Sequence, residues 1–387
     1  MIIKPIIKNN IALNAHPLGC EQNIINQINN VKELYILNIE PLNVLIIGGS
    51  SGYGLASRIL LAYNNAFIYN VSFENGPSKR LSGSAGYFNN YYFNKHFPTH
   101  KDLNIDCFSN EAKVKVIEYF KEHNKKIDLI IYSVASGVRI DPTTNKKYSS
   151  TLKPINQYYN GKIIDVAKEV SKDVSLQPAT TDEIESTIKV MGGEDYLLWI
   201  DALDNAGILN DRVKAVSYTY LGSPLTYPIY KDGTIGLAKK DLKKKSDKIN
   251  MILNKYNGNA YVCSAKSIVT KASIFIPTVP LYVSALDTIM HKNNTYETIV
   301  EHIHRLYYEM IYGDNPIYDN DGILRIDNYE LEPSLQKEIK EILNSITNEN
   351  FKEKVDFKQF KKDFLNINGF SFENIDYDKD INLDIYQ

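Results

Sequence analysis

The chain has 387 residues, 43% of them hydrophobic, enough to bury a full core, and a formal charge of -2 at neutral pH. That balance excludes a strong electrostatic pull toward nucleic acid or an anionic membrane surface. Three scattered cysteines (Cys20, Cys107, Cys263) give no disulfide framework and no paired metal-ligand motif, and they fit a reducing cytosol. No apolar run reaches the roughly eighteen residues that a spanning helix needs. The N-terminus carries neither a transit nor a signal pattern. A cytoplasmic protein without stable membrane association is expected.

Ile2, Ile3, Ile6 and Ile7, then residues 11–13, predict a short hairpin turning at Lys8, Asn9 and Asn10. Residues 15–20 read as a loop, and Ile24, Ile25, Ile28 and Val31 mark an amphipathic helix. Val44, Leu45, Ile46 and Ile47 are apolar in succession, as in a strand buried on both faces. A turn with Gly48, Gly52 and Gly54 follows, and Leu55, Ala56, Ile59 and Leu60 then recur at helical spacing. Residues 66–73 predict a second strand, 75–90 a long loop rich in Gly, Ser and Asn, 111–124 a helix and 127–134 another strand. Residues 142–182 break this rhythm and read as an excursion on the ligand side. Thr180 with Glu183 forms a capping-box pattern opening a helix toward Val190. Further helices are expected over 194–206 and 234–255, strands over 213–220 and 260–265, and an apolar helix face at Leu335, Ile339, Ile342, Leu343 and Ile346. The last twenty residues are acidic and aromatic.

Strands alternating with helices predict an α/β fold built on a Rossmann-type parallel sheet, short-chain-reductase-like, with an enlarged substrate region. We expect a single domain over 1–387. Its core spans 43–290 with an insertion at about 142–210, preceded by an N-terminal hairpin and helix (1–40) and followed by a C-terminal extension (320–387).

Strand, glycine turn and helix together make a cradle for a dinucleotide pyrophosphate. The competing reading is a glycine turn with no ligand. Glu74, at the end of the second strand, suits the adenosine ribose hydroxyls and would repel a 2′-phosphate, which favours NADH over NADPH. Lys79 and Arg80 pull the other way. Asp106 and Cys107 follow the short apolar pair Leu103 and Ile105, where the chain would touch adenine, although a helix cap at Ser109 explains the pattern equally well. Tyr230 sits in a loop just before a helix carrying Lys239 and Lys240. A phenol with an ammonium nearby can stabilise an enolate oxygen and return a proton. The two lysines lie about 100° apart around the helix, so one faces the site and the other solvent. Tyr227 and Lys231 show the Tyr-x3-Lys spacing of a short-chain carbonyl reductase. His302 and His304 are spaced wrongly for two ligands on one helix face, and His16 reads as structural. No metal site is expected. The apolar stretch 274–283, broken by Pro277 and Pro280, suits either a loop or a broken helix over an acyl pocket, or ordinary core.

Taken together, these motifs resemble the trans-2-enoyl-CoA reductase family, which includes the FabV-type enoyl-acyl-carrier-protein reductases. The resemblance covers essentially the whole chain. It is carried by Ala15-His16-Pro17-x-Gly19-Cys20, by Met191-Gly192-Gly193-Glu194-Asp195, by Tyr230-x8-Lys239-Lys240-Asp241-Leu242 and by Val269-Thr270-Lys271-Ala272-Ser273. It implies NADH as cofactor and an enoyl-CoA or enoyl-acyl-carrier-protein substrate reduced at its 2,3 double bond by a monomer. Tyr230 and Lys239 match the family's tyrosine–lysine signature, Lys240 its second lysine and Tyr220 a second active-site tyrosine. Gly48, Gly52, Tyr53 and Gly54 match the cofactor loop. Phe73, Glu74, Asp106, Cys107, Val134, Ala135 and Thr270 match positions lining NADH, which Lys239 would also touch. The alternatives are a carbonyl reductase and a non-enzymatic NADH-binding protein.

Overall fold

Val44 and Ile46 pack into one apolar cluster and Leu45 and Ile47 into another, so alternate residues of this strand serve opposite faces of the sheet. The computed structural model describes residues 1–8, 10–270 and 273–386. Seven strands form the central sheet. In chain order they are β1 (Asn43–Ile47), β2 (Phe67–Ser72), β3 (Lys101–Asn104), β4 (Ile127–Tyr132), β5 (Leu209–Thr219), β6 (Asn259–Ser264) and β7 (Leu324–Arg325). All neighbours run parallel, in the order β7-β6-β5-β4-β1-β2-β3. The strand order reverses between β1 and β4, and ligands bind at the carboxyl ends beside such a reversal.

Helices cover both faces. Helices α1 (Pro17–Lys32), α2 (Gly52–Tyr63) and α3 (Ala85–His96) bury Ile24, Leu55 and Phe88 against one side. On the other side α4 (Asn110–Glu122), α5 (Thr181–Met191), α6 (Glu194–Asn205) and α7 (Thr234–Leu253) follow in chain order, with Val116, Trp199 and Leu242 buried from α4, α6 and α7. Helix α5 opens on the complete Thr180–Glu183 capping box. Two hairpins occupy the stretch between β4 and α5: Val138–Ile140 with Lys147–Ser149, and Tyr159–Asp165 with Val170–Leu176. A third apolar cluster joins Ile164 and Val166 to α8 (Val279–Lys292), α9 (Pro333–Ser345) and Phe357, Phe360 and Phe364.

The structure departs from the expected elements in two places. Residues 17–20 belong to α1, because a proline is tolerated in the first helical turn, where its missing N–H has no partner to lose. The second half of the expected 75–90 loop is helix α3, which starts where the Ser84 hydroxyl accepts the Tyr87 N–H. Phe88, Tyr92 and Phe93 then form its buried face. Of the readings open for 274–283, the stretch after Pro277 takes the helical one with core burial: it starts α8, with Tyr282 and Leu286 fully buried. The first hairpin pairs Ile7–Lys8 with Ile11–Ala12. Residue 9 of its turn, like Lys271 and Ala272 of the 269–273 motif, lies outside the described residues.

Candidate active site

The glycine turn is shaped by close backbone contact. Gly48 has φ +92°, and a Cβ there would meet the Ser133 carbonyl at 2.5 Å. A Cβ on Gly54 would lie 2.3 Å from the Gly48 carbonyl oxygen. Gly52 adopts φ +56°, a left-handed backbone that glycine takes without strain. Helix α2 starts there, and its N-cap Ser51 makes no side-chain cap, so first-turn N–H groups face the mouth of the turn. The Gly49 N–H donates to Asn70 Oδ1 at 2.9 Å, pinning the turn to β2. Sequence reasoning missed Gly49 and Asn70, although a buried polar residue amid Ile68, Tyr69 and Val71 was the available signal.

Glu74 lies beside this turn. Its carboxylate accepts the Ser50 hydroxyl at 2.6 Å and the Ser84 hydroxyl at 2.5 Å. Lys79 and Arg80 are exposed on the loop beyond. Phe73, 70% exposed, flanks Glu74 at the end of β2. Thr270 reaches the turn from the far side: a Cβ on Gly52 would sit 3.9 Å from its methyl group. The Tyr53 hydroxyl donates to the Lys266 carbonyl at 2.5 Å, tying the turn to the end of β6. Val134 is half-buried and Ala135 exposed just past β4. Asp106 accepts the Phe108 N–H at 3.0 Å, and the Ser109 hydroxyl caps α4. Cys107 is buried, its thiol held protonated by burial and its carbonyl accepting the Trp199 indole N–H at 3.0 Å.

The second group gathers past the end of β5. Tyr220 and Tyr230 meet edge to face, their ring centroids 4.8 Å apart. The Tyr230 carbonyl accepts the Gly236 N–H at 3.0 Å, fastening the tyrosine turn to the first turn of α7. That contact requires glycine, because a Cβ on Gly236 would lie 1.7 Å from the Lys231 carbonyl oxygen. One turn further on, Lys239 is half-buried while Lys240 is exposed. Burial lowers the Lys239 ammonium to about 8. Burial also raises the Tyr230 phenol, so a nearby ammonium does not dominate its acidity and it stays a neutral donor. Lys231 lies over the face of the Tyr227 ring, 4.3 Å from its centroid, in the turns that precede α7.

The Met191–Asp195 motif acts at a distance. Gly193 N–H donates to Asp241 Oδ2 at 2.9 Å, and a Cβ on Gly193 would meet the α7 backbone at Leu242, 2.8 Å away. The two glycines thus let the α5–α6 corner press against the helix that carries Lys239. Asp195 is buried, paired with Lys113 at 2.9 Å. The histidines are structural. His302 accepts the Lys266 N–H at 3.1 Å and pairs with Glu297 at 2.9 Å, and His16 is buried edge-on to Tyr377.

The strand order, the glycine cradle and the tyrosine–lysine helix define a Rossmann-type dinucleotide-binding protein. Comparison with known proteins narrows the class. Residues 81–312 match the trans-2-enoyl-CoA reductase catalytic region, residues 2–79 the NAD(P)H binding domain of trans-2-enoyl-CoA reductase, and residues 318–381 the enoyl reductase FAD binding domain. Enoyl-[acyl-carrier-protein] reductase [NADH] from Idiomarina loihiensis is 42% identical over 98% of each chain. The protein of the same name from Colwellia psychrerythraea is 43% identical over 100% of this chain and 98% of its own. The crystal structure of Clostridium acetobutulicum trans-2-enoyl-CoA reductase in complex with NADH superposes with a TM-score of 0.96 at 40% identity, covering 100% of this chain and 99% of that one. The chain belongs to the trans-2-enoyl-CoA reductase family.

The residues fit NADH: the cradle admits no side chain at Gly48 or Gly54, and first-turn N–H groups face outward to meet a pyrophosphate. They do not fit a flavin in 318–381. That segment supplies an edge strand, packs α9 and its phenylalanines into the third cluster, and lays Phe370 and Ile381 into the core beside α1. Its described glycines, Gly322 and Gly369, serve a tight turn and the approach to His16.

Proposed function

We propose that this protein reduces the 2,3 double bond of trans-2-enoyl thioesters, carried on CoA or on acyl-carrier protein, to the saturated acyl thioester. NADH, when bound, supplies the hydride to C3. The carbonyl oxygen then gathers enolate charge, Tyr230, a neutral phenol raised further by burial, donates a hydrogen bond to it, and protonation at C2 completes the reduction. Tyr220, in ring contact with Tyr230, forms the adjoining wall of the site. Lys239 orients the cofactor ribose, and its inward orientation favours it over the exposed Lys240, which is left a supporting role. The glycines at 48, 52 and 54 with Tyr53 hold the pyrophosphate. Phe73, Glu74, Asp106, Cys107, Val134, Ala135 and Thr270 line the rest of the cofactor path. The observation that carries this reading is the Tyr220–Tyr230 contact fastened to the first turn of a helix whose next turn buries Lys239.

The protein acts as a cytoplasmic monomer in this reading. Among the described residues no helix is long and apolar enough to cross a membrane, and the three cysteines are buried. We read the chain as one domain, a reading supported by β7 of the C-terminal extension joining the sheet and by the Met1 ammonium pairing with Asp380.

The test is NADH and NADPH oxidation with crotonyl-CoA, a longer enoyl-CoA and enoyl-acyl-carrier protein. Tyr230→Phe keeps NADH affinity and loses roughly 10²–10⁴-fold in kcat, the range for a positioned proton donor. Near-normal turnover by that variant sinks the assignment, and reduction of ketones but not crotonyl-CoA would indicate a carbonyl reductase.

A further inference from the structure

Glu330 lies five residues beyond β7 and is fully buried. Its Oε1 accepts the Tyr282 hydroxyl at 2.7 Å and the Tyr220 hydroxyl at 3.2 Å. Its Oε2 accepts the Ser267 N–H at 2.7 Å. Gln336, on α9, braces this group by donating to the Tyr282 hydroxyl oxygen at 3.0 Å and to the Glu330 carbonyl at 2.6 Å. Among the described residues no cation lies within ion-pair distance of the Glu330 carboxylate. The charged and titratable groups around it are Tyr220 past β5, Lys266 past β6, Tyr282 on α8, Tyr53 on α2 and Asp327 on its own segment. A carboxylate so placed relies chiefly on hydrogen-bond donors, with the buried Lys266 beyond ion-pair distance.

We propose that Glu330 is a positioning residue for the reduction, setting which way the hydroxyl proton of Tyr220 points and so whether Tyr220 can assist Tyr230. The proposal rests on the enoyl-thioester reading above. An ionised carboxylate only accepts, so both phenol protons turn inward and Tyr220 offers the cleft nothing but lone pairs. A protonated Glu330 donates to one phenol oxygen and releases an O–H to turn outward, toward the position of the enolate oxygen. The proton enters from solvent on acidification, and no covalent bond other than that O–H is made. Burial raises the Glu330 carboxyl to about 7, which places the change near neutrality.

The test is kcat against pH for the wild type, Glu330→Gln, Tyr220→Phe and the double variant. The expected result is a several-fold fall in wild-type kcat as pH rises through about 7. That step is absent in E330Q, whose amide donates at every pH, and E330Q has no added effect once the Tyr220 hydroxyl is gone. A step that persists in E330Q, or an E330Q penalty equal with and without that hydroxyl, overturns the proposal. Infrared titration of the protonated carboxyl stretch gives a second readout that needs neither turnover nor a folded E330Q. Its midpoint lies near neutrality in the wild type and moves upward in Y220F, where the carboxylate loses a donor. An unmoved midpoint overturns the proposal. Failure of the wild type to reduce any enoyl thioester, with the infrared shift present, refutes the reaction and leaves the Glu330–Tyr220 coupling standing.

Discussion

A phenol that donates at neutral pH must stay neutral; an ordinary tyrosine already does, and burial pushes the Tyr230 phenol further in that direction. The same burial acts in the opposite sense on Lys239, whose ammonium is disfavoured and brought to about 8. The sign of the stability effect follows. The unfolded chain binds the proton more tightly, so the charged lysine costs stability at neutral pH, and the cost is relieved as pH rises from about 8 toward the ordinary lysine value near 10.4. Function runs the other way. If the ammonium orients the ribose, the KM for NADH rises above about pH 8 in the wild type, and Lys239→Met shows a high KM with no such limb. A pH-independent KM in the wild type would argue against this role. Lys240→Met, at an exposed position, leaves the profile in place. Glu330 marks the limit of reading a site from sequence at this scale. It is 110 residues from Tyr220, and an isolated glutamate near a chain end carries no local pattern.

Elements with a strong period were legible. The four apolar residues of β1, the capping box of α5 and the apolar stripe of α9 each state their own structure. Where composition and spacing point different ways, spacing is the better guide to a buried face. Helix α3 was hidden by its Gly, Ser and Asn neighbours, while Phe88 and Tyr92 stood four apart at buried positions. The same lesson applies to the glycines that never touch ligand. Gly236 and Gly193 bring backbone against backbone around α7, and this sets where the helix lies. Gly236→Ala, with its Cβ 1.7 Å from the Lys231 carbonyl oxygen, must shift the tyrosine turn against α7. A displacement of this kind costs on the order of 10²-fold in kcat. The expected signature is low turnover with intact NADH binding, checked by fluorescence titration alongside steady-state rates.

At the scale of the whole molecule, the chain ends are structural. Lys4 reaches Asp378 at 2.5 Å, and the Ile381 N–H donates to the Met1 carbonyl at 3.1 Å. Tyr386 packs on α3, its hydroxyl 2.6 Å from that of Tyr92. Deleting residues 370–387 therefore exposes the α3 aromatic face and the His16 surroundings. Each apolar side chain returned to water costs on the order of 2 kcal/mol. Phe370, Ile381 and Tyr386 are all buried, so the truncated chain melts many degrees lower and aggregates in a thermal scan. An unchanged melting temperature would mean that the tail is an ornament.

The strand order also bears on how the chain is made. The first three strands build outward from β1 in one direction, and β4, β5, β6 and β7 then add one by one on its other side. Every strand leaving the ribosome therefore meets an edge that already exists, and none has to wedge between two that have already paired. Such a sheet can assemble vectorially, with its open edge advancing in step with synthesis, while the α3 face waits for Phe370, Ile381 and Tyr386 to cover it.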